Sequence, residues 1–408
     1  MYKRILVALD GSEDSLTGGR IALAAACELG AELLVCHISD VHIHSRRLRE
    51  MEPALPARYQ RTEVLSQIRE AHEELIGEGF GALSRGYMDA FLQTAGERGA
   101  AVEQIHREGR NYVEILRLAE ERKAGLVVLG ALGLGAVEGD SLGSTSARVL
   151  AGTRCDVLIA RRIPVAGKVV VGIDGSAEAG EALKKGAAWS RILGKQLELV
   201  SVYDPYFHTQ VFQTMSGALS PERQEEVGLA KQETLHEELV DEGLGKLYQS
   251  FLDKALDQCG VMGVKANAVL LKGKAYRALI GHAGNGGVDL IVVGRFGNHR
   301  EETARIGSNS EAACRLAMTN VLIAAGSEAL RPPAREAEGI VDWDEEALQR
   351  LDRIPAFARP MARRGIEAYA RARGKRRVTL EEMQAASGRM GGGKAPARHA
   401  QKPPAEET

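Results

Sequence analysis

The sequence predicts two tandem α/β domains, each with a five-stranded parallel sheet covered by helices, followed by a small three-helix domain. Two observations carry this prediction. First, the 408-residue chain repeats itself: shifted by 164 positions, ILVALDGS at 5–12 falls on VVVGIDGS at 169–176, and LVVLG at 126–130 falls on LIVVG at 290–294. Second, short apolar runs alternate with helical stretches in each repeat, which is typical of strands buried on both faces of a parallel sheet.

The first repeat shows the order of the elements. Strands are predicted at 5–10, 32–38, 101–106, 125–130 and 155–160. Helices are predicted at about 15–29, 111–122 and 144–152. Gly30 is expected to end the first helix in the left-handed conformation. Because strands and helices alternate, we expect helices on both faces of the sheet and a ligand site beyond the carboxyl ends of the strands.

Composition favours a cytoplasmic protein with a sizeable core. Hydrophobic residues make up 44% of the chain, the formal net charge is -2, and aromatic residues make up only 4%. These values argue against nucleic acid and membrane surfaces as partners. The five cysteines have neither disulfide-framework nor zinc-like spacing, so reduced thiols are expected. No apolar stretch approaches the roughly 20 residues that a membrane-spanning helix needs.

A glycine motif follows the fourth strand of each repeat. It has the form Gly-x2-Gly-x9-Gly-Ser and comprises Gly130, Gly133, Gly143 and Ser144, then Gly294, Gly297, Gly307 and Ser308. Glycines let the backbone approach an anion closely, and a helix start presents free N–H groups to a phosphate. Asp10 and Asp174 end the first strands at the same edge of the sheet. There they can meet a ribose hydroxyl or a metal ion, such as Mg²⁺, on the phosphates.

This pattern resembles the ATP-binding branch of the universal stress protein family. The resemblance implies Rossmann-like domains of the adenine nucleotide alpha hydrolase type with strand order 3-2-1-4-5. It also implies that ATP is held by the aspartate, the glycine loop and the end of the second strand, with the backbone of Ile38 and Val202 facing adenine. Family members commonly pair through the fifth strand. The tandem chain can therefore join CDVLIA at 155–160 to TNVLIA at 319–324 as an internal pseudo-dimer.

The two glycine loops differ in charge. The nine-residue spacer of the first repeat has Glu138 and Asp140 and no basic residue. Carboxylates beside a triphosphate repel it unless a cation intervenes. The second spacer has basic residues offset in part by acidic ones: His299, Arg300 and Arg305, with Glu301 and Glu302. If only one site binds ATP, the sequence favours the second. The alternative is that the glycines only shape a turn in a domain without a ligand.

Each domain, at 1–163 and 164–326, carries a long insertion after its second strand, at about 40–98 and 204–258. Much of each insertion has helical periodicity, and histidines and carboxylates recur in it at one offset. The matching residues are His44 with His208, His72 with His236, and Glu73 with Glu237. Such groups are competent ligands for zinc, iron or manganese. The alternative is a solvated helix face.

The C-terminal part divides into a linker at 327–340, a helical domain at 341–387 and a tail at 388–408 that is expected to be disordered. The domain resembles the short C-terminal domain of the light-independent protochlorophyllide reductase B subunit. The matching features are Trp343, Ile354-Pro355-x-Phe357, Arg359, Glu367-x-Tyr369-Ala370, Gly374 and Val378-Thr379. Its predicted core is Trp343, Leu348, Leu351, Ile354, Phe357, Ile366, Tyr369 and Met383. Cluster-binding cysteines are lacking, so pigment reduction does not carry over.

Three functions are consistent with these features. The first is a stress-response regulator in which ATP occupancy changes association with a protein partner. The second is a slow ATPase or phosphotransferase, and the third is a nucleotide-free scaffold that can bind metal. The sequence has no Walker-type Gly-Lys-Ser/Thr motif and no arginine shared by both loops, which disfavours an efficient enzyme. No catalytic residue is assigned.

Overall fold

The apolar runs of both repeats form one ten-stranded sheet in the computed structural model. The structure describes residues 1–39, 41–165, 167–206, 214, 217–226, 243–298, 304–326, 342–352, 366, 370, 377–381 and 383. The strands of this sheet are β1 (Arg4–Ala8), β2 (Glu32–Ser39), β3 (Val102–Glu108), β4 (Leu126–Gly130), β5 (Asp156–Ala160), β6 (Lys168–Gly172), β7 (Gln196–Tyr203), β8 (Ala266–Lys272), β9 (Val288–Gly294) and β10 (Asn320–Ala324). Their spatial order is β3-β2-β1-β4-β5-β10-β9-β6-β7-β8. Each repeat thus has the order 3-2-1-4-5 with parallel neighbours.

Helices cover both faces of this sheet. Those described in the repeats are α1 (Glu13–Leu29), α2 (Val41–Met51), α3 (Thr62–Glu97), α4 (Asn111–Glu121), α5 (Ser144–Gly152), α6 (Ala177–Ile192), α7 (Pro221–Glu226), α8 (Gly243–Val261), α9 (Ala275–Asn285) and α10 (Ser308–Leu316). The helices α1, α3, α6 and α8 contribute to one core, and α4, α5, α9 and α10 to the other. Within the described ranges no helix is long and apolar enough to cross a membrane.

Strand β1 shows why its sequence is a continuous apolar run. Ile5 and Val7 belong to one core, and Leu6 belongs to the other. Successive side chains of a strand point to opposite faces, so a strand covered by helices on both sides needs apolar residues at every position. The strand ends at Ala8, two residues earlier than predicted. The reason is that Asp10 turns away to bond with the start of α1.

The two repeats meet at their fifth strands. Strands β5 and β10 pair antiparallel, with Leu158 opposite Leu322. This is the one antiparallel step among the described strands of the sheet, and it lies where the sequence analysis joined the repeats. The sheet is continuous across the junction, and Met1–Leu330 form one compact unit.

Polar side chains cross this junction in a pseudo-symmetric way. Asp156 Oδ1 accepts from the backbone N–H of Ala325 at 2.8 Å, and Asn320 at the equivalent position accepts from the N–H of Arg161 at 2.9 Å. The other oxygen of Asp156 accepts from the hydroxyl of Tyr2 at 2.5 Å and pairs with Lys185 at 3.0 Å. Burial and the Asp156 carboxylate raise the pKa of Tyr2 well above 10.0, which keeps its hydroxyl a donor. Charge and hydrogen bonds therefore hold the repeats in register.

Two arginines add a second set of contacts between the repeats. The Nη2 of Arg161 donates to the carbonyl of Ser141 at 2.6 Å and of Cys314 at 2.7 Å. Arg295, which is buried, donates through Nη1 to the carbonyl of Leu150 at 2.8 Å. Cys314 and Leu150 lie in the last turns of α10 and α5, where helix carbonyls lack partners and a cation is favoured. Each arginine therefore caps a helix of the other repeat.

The first insertion is helical, as predicted. It contains α2 and the 36-residue α3. Tyr87 of α3 packs so closely over Gly11 that a Cβ atom at this position would overlap its ring. Gly11 has a φ of 82°, in the left-handed region that glycine tolerates. The insertion thus covers the turn that follows β1.

The second compact unit spans Arg331–Thr408. Its described part contains helix α11 (Glu345–Asp352) and a parallel ladder of β11 (Asp342–Trp343) with β12 (Arg377–Val378), which the sequence analysis did not predict. The other predicted helices fall largely outside the described residues. Four residues of the predicted core lie in or against the described one, namely Trp343, Leu351, Ile366 and Met383. Of the other four, Ile354, Phe357 and Tyr369 lie outside the described residues, as does the side chain of Leu348.

Candidate functional site

A cleft of about 880 Å³ opens at the carboxyl ends of β1, β2 and β4 in the first repeat. All six residues that the sequence analysis assigned to the nucleotide site of this repeat line it. They are Asp10, Ile38, Gly130, Gly133, Gly143 and Ser144. Parallel strands of an open α/β sheet bring their carboxyl ends together at such an edge, which is why residues far apart in sequence meet here.

Asp10 is held rigidly at the floor of the cleft. Its Oδ1 accepts from the backbone N–H of Ser12 at 3.0 Å and from the Ser12 hydroxyl at 2.6 Å. The Ser12 hydroxyl also accepts from the N–H of Ser15 at 3.2 Å and so caps α1. Asp10 is therefore fixed to the start of a helix through one oxygen, and Oδ2 faces the glycine loop.

Gly133 makes the closest approach of this loop to the aspartate. A Cβ atom on Gly133 would lie 2.6 Å from Oδ2 of Asp10. In the second repeat, a Cβ atom on Gly297 would lie at the same 2.6 Å from Oδ2 of Asp174. The two loops therefore have the same geometry at this point, and only glycine leaves room for the carboxylate.

The first glycine of each motif has a different role. A Cβ atom on Gly130 would lie 2.6 Å from the backbone nitrogen of Ser15, and one on Gly294 would lie 2.7 Å from Cβ of Glu178. These positions face the first turns of α1 and α6, so these glycines permit close packing of the helix on the sheet.

The last glycine of the motif stands directly before helix α5. Gly143 is the N-cap, and no side chain among the described residues hydrogen-bonds to this helix start. Ser144, Thr145 and Ser146 follow and line the cleft. The first N–H groups of a helix have no partner within it and carry partial positive charge, so this end of the cleft suits an anion.

The end of β2 forms the opposite wall. Ile38 is 8% exposed and lines the cleft beside Ser39. His37 bonds through Nδ1 to the carbonyl of Leu9 at 2.7 Å, and it lies 8% exposed, in agreement with the sequence interpretation of a packed histidine. In the second repeat Ser201 takes the same place and donates to the carbonyl of Ile173 at 2.6 Å.

The charges lining the cleft include groups that the motif did not indicate. Asp140 lines the cleft, and its carboxylate is unfavourable for a phosphate, as its place in the spacer predicted. Two arginines also line the cleft, Arg148 of α5 and Arg315 of α10. Arg148 lies over the ring of Tyr112 at 4.9 Å. Nearby, burial raises the pKa of Asp14, whose carboxylate accepts from the loop N–H of Leu132 at 3.0 Å. Arg315 could not have been found from the first repeat because it belongs to the second.

Asp174 of the second repeat is held in the same way as Asp10, and aromatic residues lie near it. Oδ1 of Asp174 accepts from the N–H of Ser176 at 3.0 Å and from its hydroxyl at 2.5 Å. The rings of Tyr203 and Phe251 lie 6.5 and 5.4 Å from that of Tyr248. Burial and the Asp174 carboxylate raise the pKa of Tyr248.

The remaining predicted residues of this repeat occupy the equivalent positions. Val202 lies in β7, and Gly307 is the N-cap of α10, which begins at Ser308. Residues 299–303, which include most of the basic spacer, lie outside the described part of the chain. The prediction that this repeat is the better site therefore stays a prediction.

The metal hypothesis also remains a prediction. His72 and Glu73 lie on α3, and Glu73 pairs with Arg49 at 3.6 Å. The side chain of His44 and the whole of His208, His236 and Glu237 are outside the described residues. Among the side chains that are described, no three histidines, cysteines or carboxylates gather as a metal site.

Comparisons with known proteins agree with this architecture. The profile of the Universal stress protein family matches residues 1–161 and 166–325, and that of the Proto-chlorophyllide reductase 57 kD subunit matches residues 343–386. The chain is similar to the "Universal stress protein in QAH/OAS sulfhydrylase 3′ region" of Thermus aquaticus, with 32% identity over 161 residues, which is 40% of this chain and 100% of that protein.

The C-terminal unit has a separate relative. The chain is 42% identical over 50 residues to the B subunit of the light-independent protochlorophyllide reductase from Gloeobacter violaceus, covering 12% of this chain and 10% of that one.

Among solved structures, a universal stress protein from Archaeoglobus fulgidus aligns with 18% identity and a TM-score of 0.46, covering 79% of this chain and 98% of that one.

Proposed function

This chain belongs to the universal stress protein family, and we propose that it binds ATP in the cleft of its first repeat and that nucleotide occupancy regulates its association with a protein partner. The observation that carries the proposal is the cleft itself. Its volume of about 880 Å³ lies within the range of about 300–1,000 Å³ usual for small-molecule sites. Six residues that the motif and the family resemblance select all line it.

The cleft offers a suitable group for each part of the nucleotide. The N–H groups at the start of α5 and the glycine loop suit the phosphates. The apolar end of β2 at Ile38, with its backbone polar groups, suits adenine. Oδ2 of Asp10 faces the space that a Cβ atom on Gly133 would fill, and this position suits a ribose hydroxyl or the Mg²⁺ ion that accompanies ATP.

Regulation fits this cleft better than efficient catalysis. The described charged side chains that line it are two carboxylates and two arginines, and His37 is engaged by the carbonyl of Leu9. Together with the hydroxyls and backbone amides of the loop, these groups can bind a triphosphate, whereas rapid phosphoryl transfer needs a positioned nucleophile or base as well as cations. A regulator needs only a difference in partner affinity between its ATP-bound and free forms.

The experiment identifies the nucleotide that the protein carries. Native protein is purified without added nucleotide and denatured, and the released ligands are separated and identified by mass spectrometry. ATP, with negligible turnover in the intact protein, supports the regulator. ADP with measurable hydrolysis supports a slow ATPase instead. Protein that carries no nucleotide and binds none when ATP is added would contradict the proposal.

A further inference from the structure

We propose that the first nucleotide site is completed by the second repeat, with Arg315 of α10 binding the phosphate chain of the nucleotide in the first repeat. This inference rests on the proposed function. Arg315 lines the cleft of the first repeat together with Asp10, Gly133 and Ser144, although it lies in the other half of the chain. A guanidinium presents five donors in a planar fork that matches phosphate oxygens.

The end of α10 is fastened to the loop of the first repeat. The Nη2 atom of Arg161 donates to the carbonyl of Ser141 at 2.6 Å, and Ser141 lies two residues before Gly143, the N-cap of α5. The same atom bonds to the carbonyl of Cys314 at 2.7 Å and to that of Arg315 at 3.4 Å. One half-buried guanidinium therefore connects the loop of the first repeat directly to the residue that enters its cleft.

The carboxylates of the cleft favour an additional cation beside them. The described charged residues that line the cleft are two carboxylates, Asp10 and Asp140, and two arginines. The first repeat supplies only one of these arginines, Arg148 of α5, since its loop has no basic residue. Arg315 is the second cation, and without it the two carboxylates would leave the described lining with a net negative charge that opposes a triphosphate. Its side chain is 43% exposed and pairs with Glu311 at 3.0 Å, one turn earlier on the same helix. An exposed pair of this kind is weak in water, so the guanidinium can turn to a more highly charged ligand.

The arrangement is not reciprocal. The residue that corresponds to Arg315 in the first repeat is Ala151, at the end of α5, so α5 has no arginine at the position from which α10 supplies one. The two sites are therefore built differently despite the shared motif. The first takes one of its two arginines from the other repeat, whereas the loop of the second has basic residues in its own sequence.

The test compares ATP with adenosine, by calorimetric titration of the full chain. Arg315→Gln should weaken ATP binding at one site about tenfold, the effect of losing one charge-assisted hydrogen-bonding group, and leave adenosine binding unchanged. Arg315→Lys should fall between the two. Arg20→Gln, which removes the same charge from the exposed face of α1, is the matched control and should bind ATP as the wild type does.

A blocked first site provides the decisive comparison. In a Gly143→Val background, where the first site is closed, Arg315→Gln should cause no further loss of ATP binding. A loss of similar size in this background would show that Arg315 acts on its own repeat, and it would overturn the inference. Unchanged ATP affinity in Arg315→Gln would overturn it as well, while leaving the proposed function intact. A wild type that binds no ATP would overturn both.

Discussion

Replacing Gly133 with alanine would place a Cβ atom 2.6 Å from Oδ2 of Asp10, closer than such atoms come in folded proteins. The backbone of Gly133 lies outside the left-handed region, so alanine adds no backbone strain and any destabilisation comes from this contact. The carboxylate cannot move aside freely because Oδ1 accepts two hydrogen bonds from Ser12. We expect a destabilisation of about 1–3 kcal/mol, the usual cost of adding a methyl group to a packed position.

The assay is chemical denaturation of the full chain together with ATP titration. Gly135→Ala is the matched control in the same loop, because no heavy atom of the described chain lies within 4 Å of a Cβ atom there. The double variant Asp10→Ala, Gly133→Ala should be more stable than the sum of the two single effects indicates, because the clash needs both groups. Gly297→Ala should reproduce the result in the second repeat. A Gly133→Ala protein as stable as Gly135→Ala would show that the Asp10 carboxylate does not restrict this position to glycine.

Three further predictions concern stability and assembly. Asp156→Ala should cost about 3–5 kcal/mol in chemical denaturation, because it leaves a hydroxyl, an amide and an ammonium group without their shared carboxylate. A change below about 1 kcal/mol would contradict the role of Asp156 in holding the two repeats together. Burial raises the pKa of Glu198, but the hydrogen bonds from His282 and Lys168 together have the larger effect, so the pKa of Glu198 lies below its usual value of 4.5. The stability that this interaction adds is present above pH 4.5 and is lost as the pH falls through the pKa of Glu198 in the folded protein. Glu198→Gln should therefore make the loss of stability at acid pH less steep. An unchanged loss of stability at acid pH would count against the interaction of Glu198 with His282 and Lys168. Residues 1–163 expressed alone should self-associate through the uncovered edge of β5, and light scattering that shows a monomer at high concentration would disprove this.

The sequence alone predicted the sheet because its evidence is local and repeated. Each strand of the first repeat is an apolar run or a run with alternating apolar residues, and the 164-residue offset places the same runs in the second. The strand order came from the family resemblance. The exact ends of strands were less predictable: β1 stops at Ala8 because Asp10 bonds to Ser12, a choice that apolarity cannot reveal.

The parts that the sequence did not predict depend on contacts between the repeats. Arg161 and Arg295 have alanine at the corresponding positions of the other repeat, so the internal alignment gives no sign of their role. Arg315 lines the first cleft because the two repeats pair through β5 and β10, and the end of α10 lies beside the first loop. The glycine motif was correctly assigned to one edge of the sheet, but it did not distinguish Gly130, which packs against α1, from Gly133, which faces Asp10.

Whether the first repeat binds ATP at its glycine loop is measured by calorimetric titration of ATP into the full chain and into its Gly143→Val variant. A Cβ atom at this position already lies 3.2 Å from the carbonyl of Ala131, so the two methyl groups of valine must project towards the cleft or displace the loop. We predict that the wild type binds ATP and that the variant, shown by circular dichroism to be folded, loses one site from the binding stoichiometry. Equal affinity and stoichiometry in the two proteins would show that ATP does not bind at this loop.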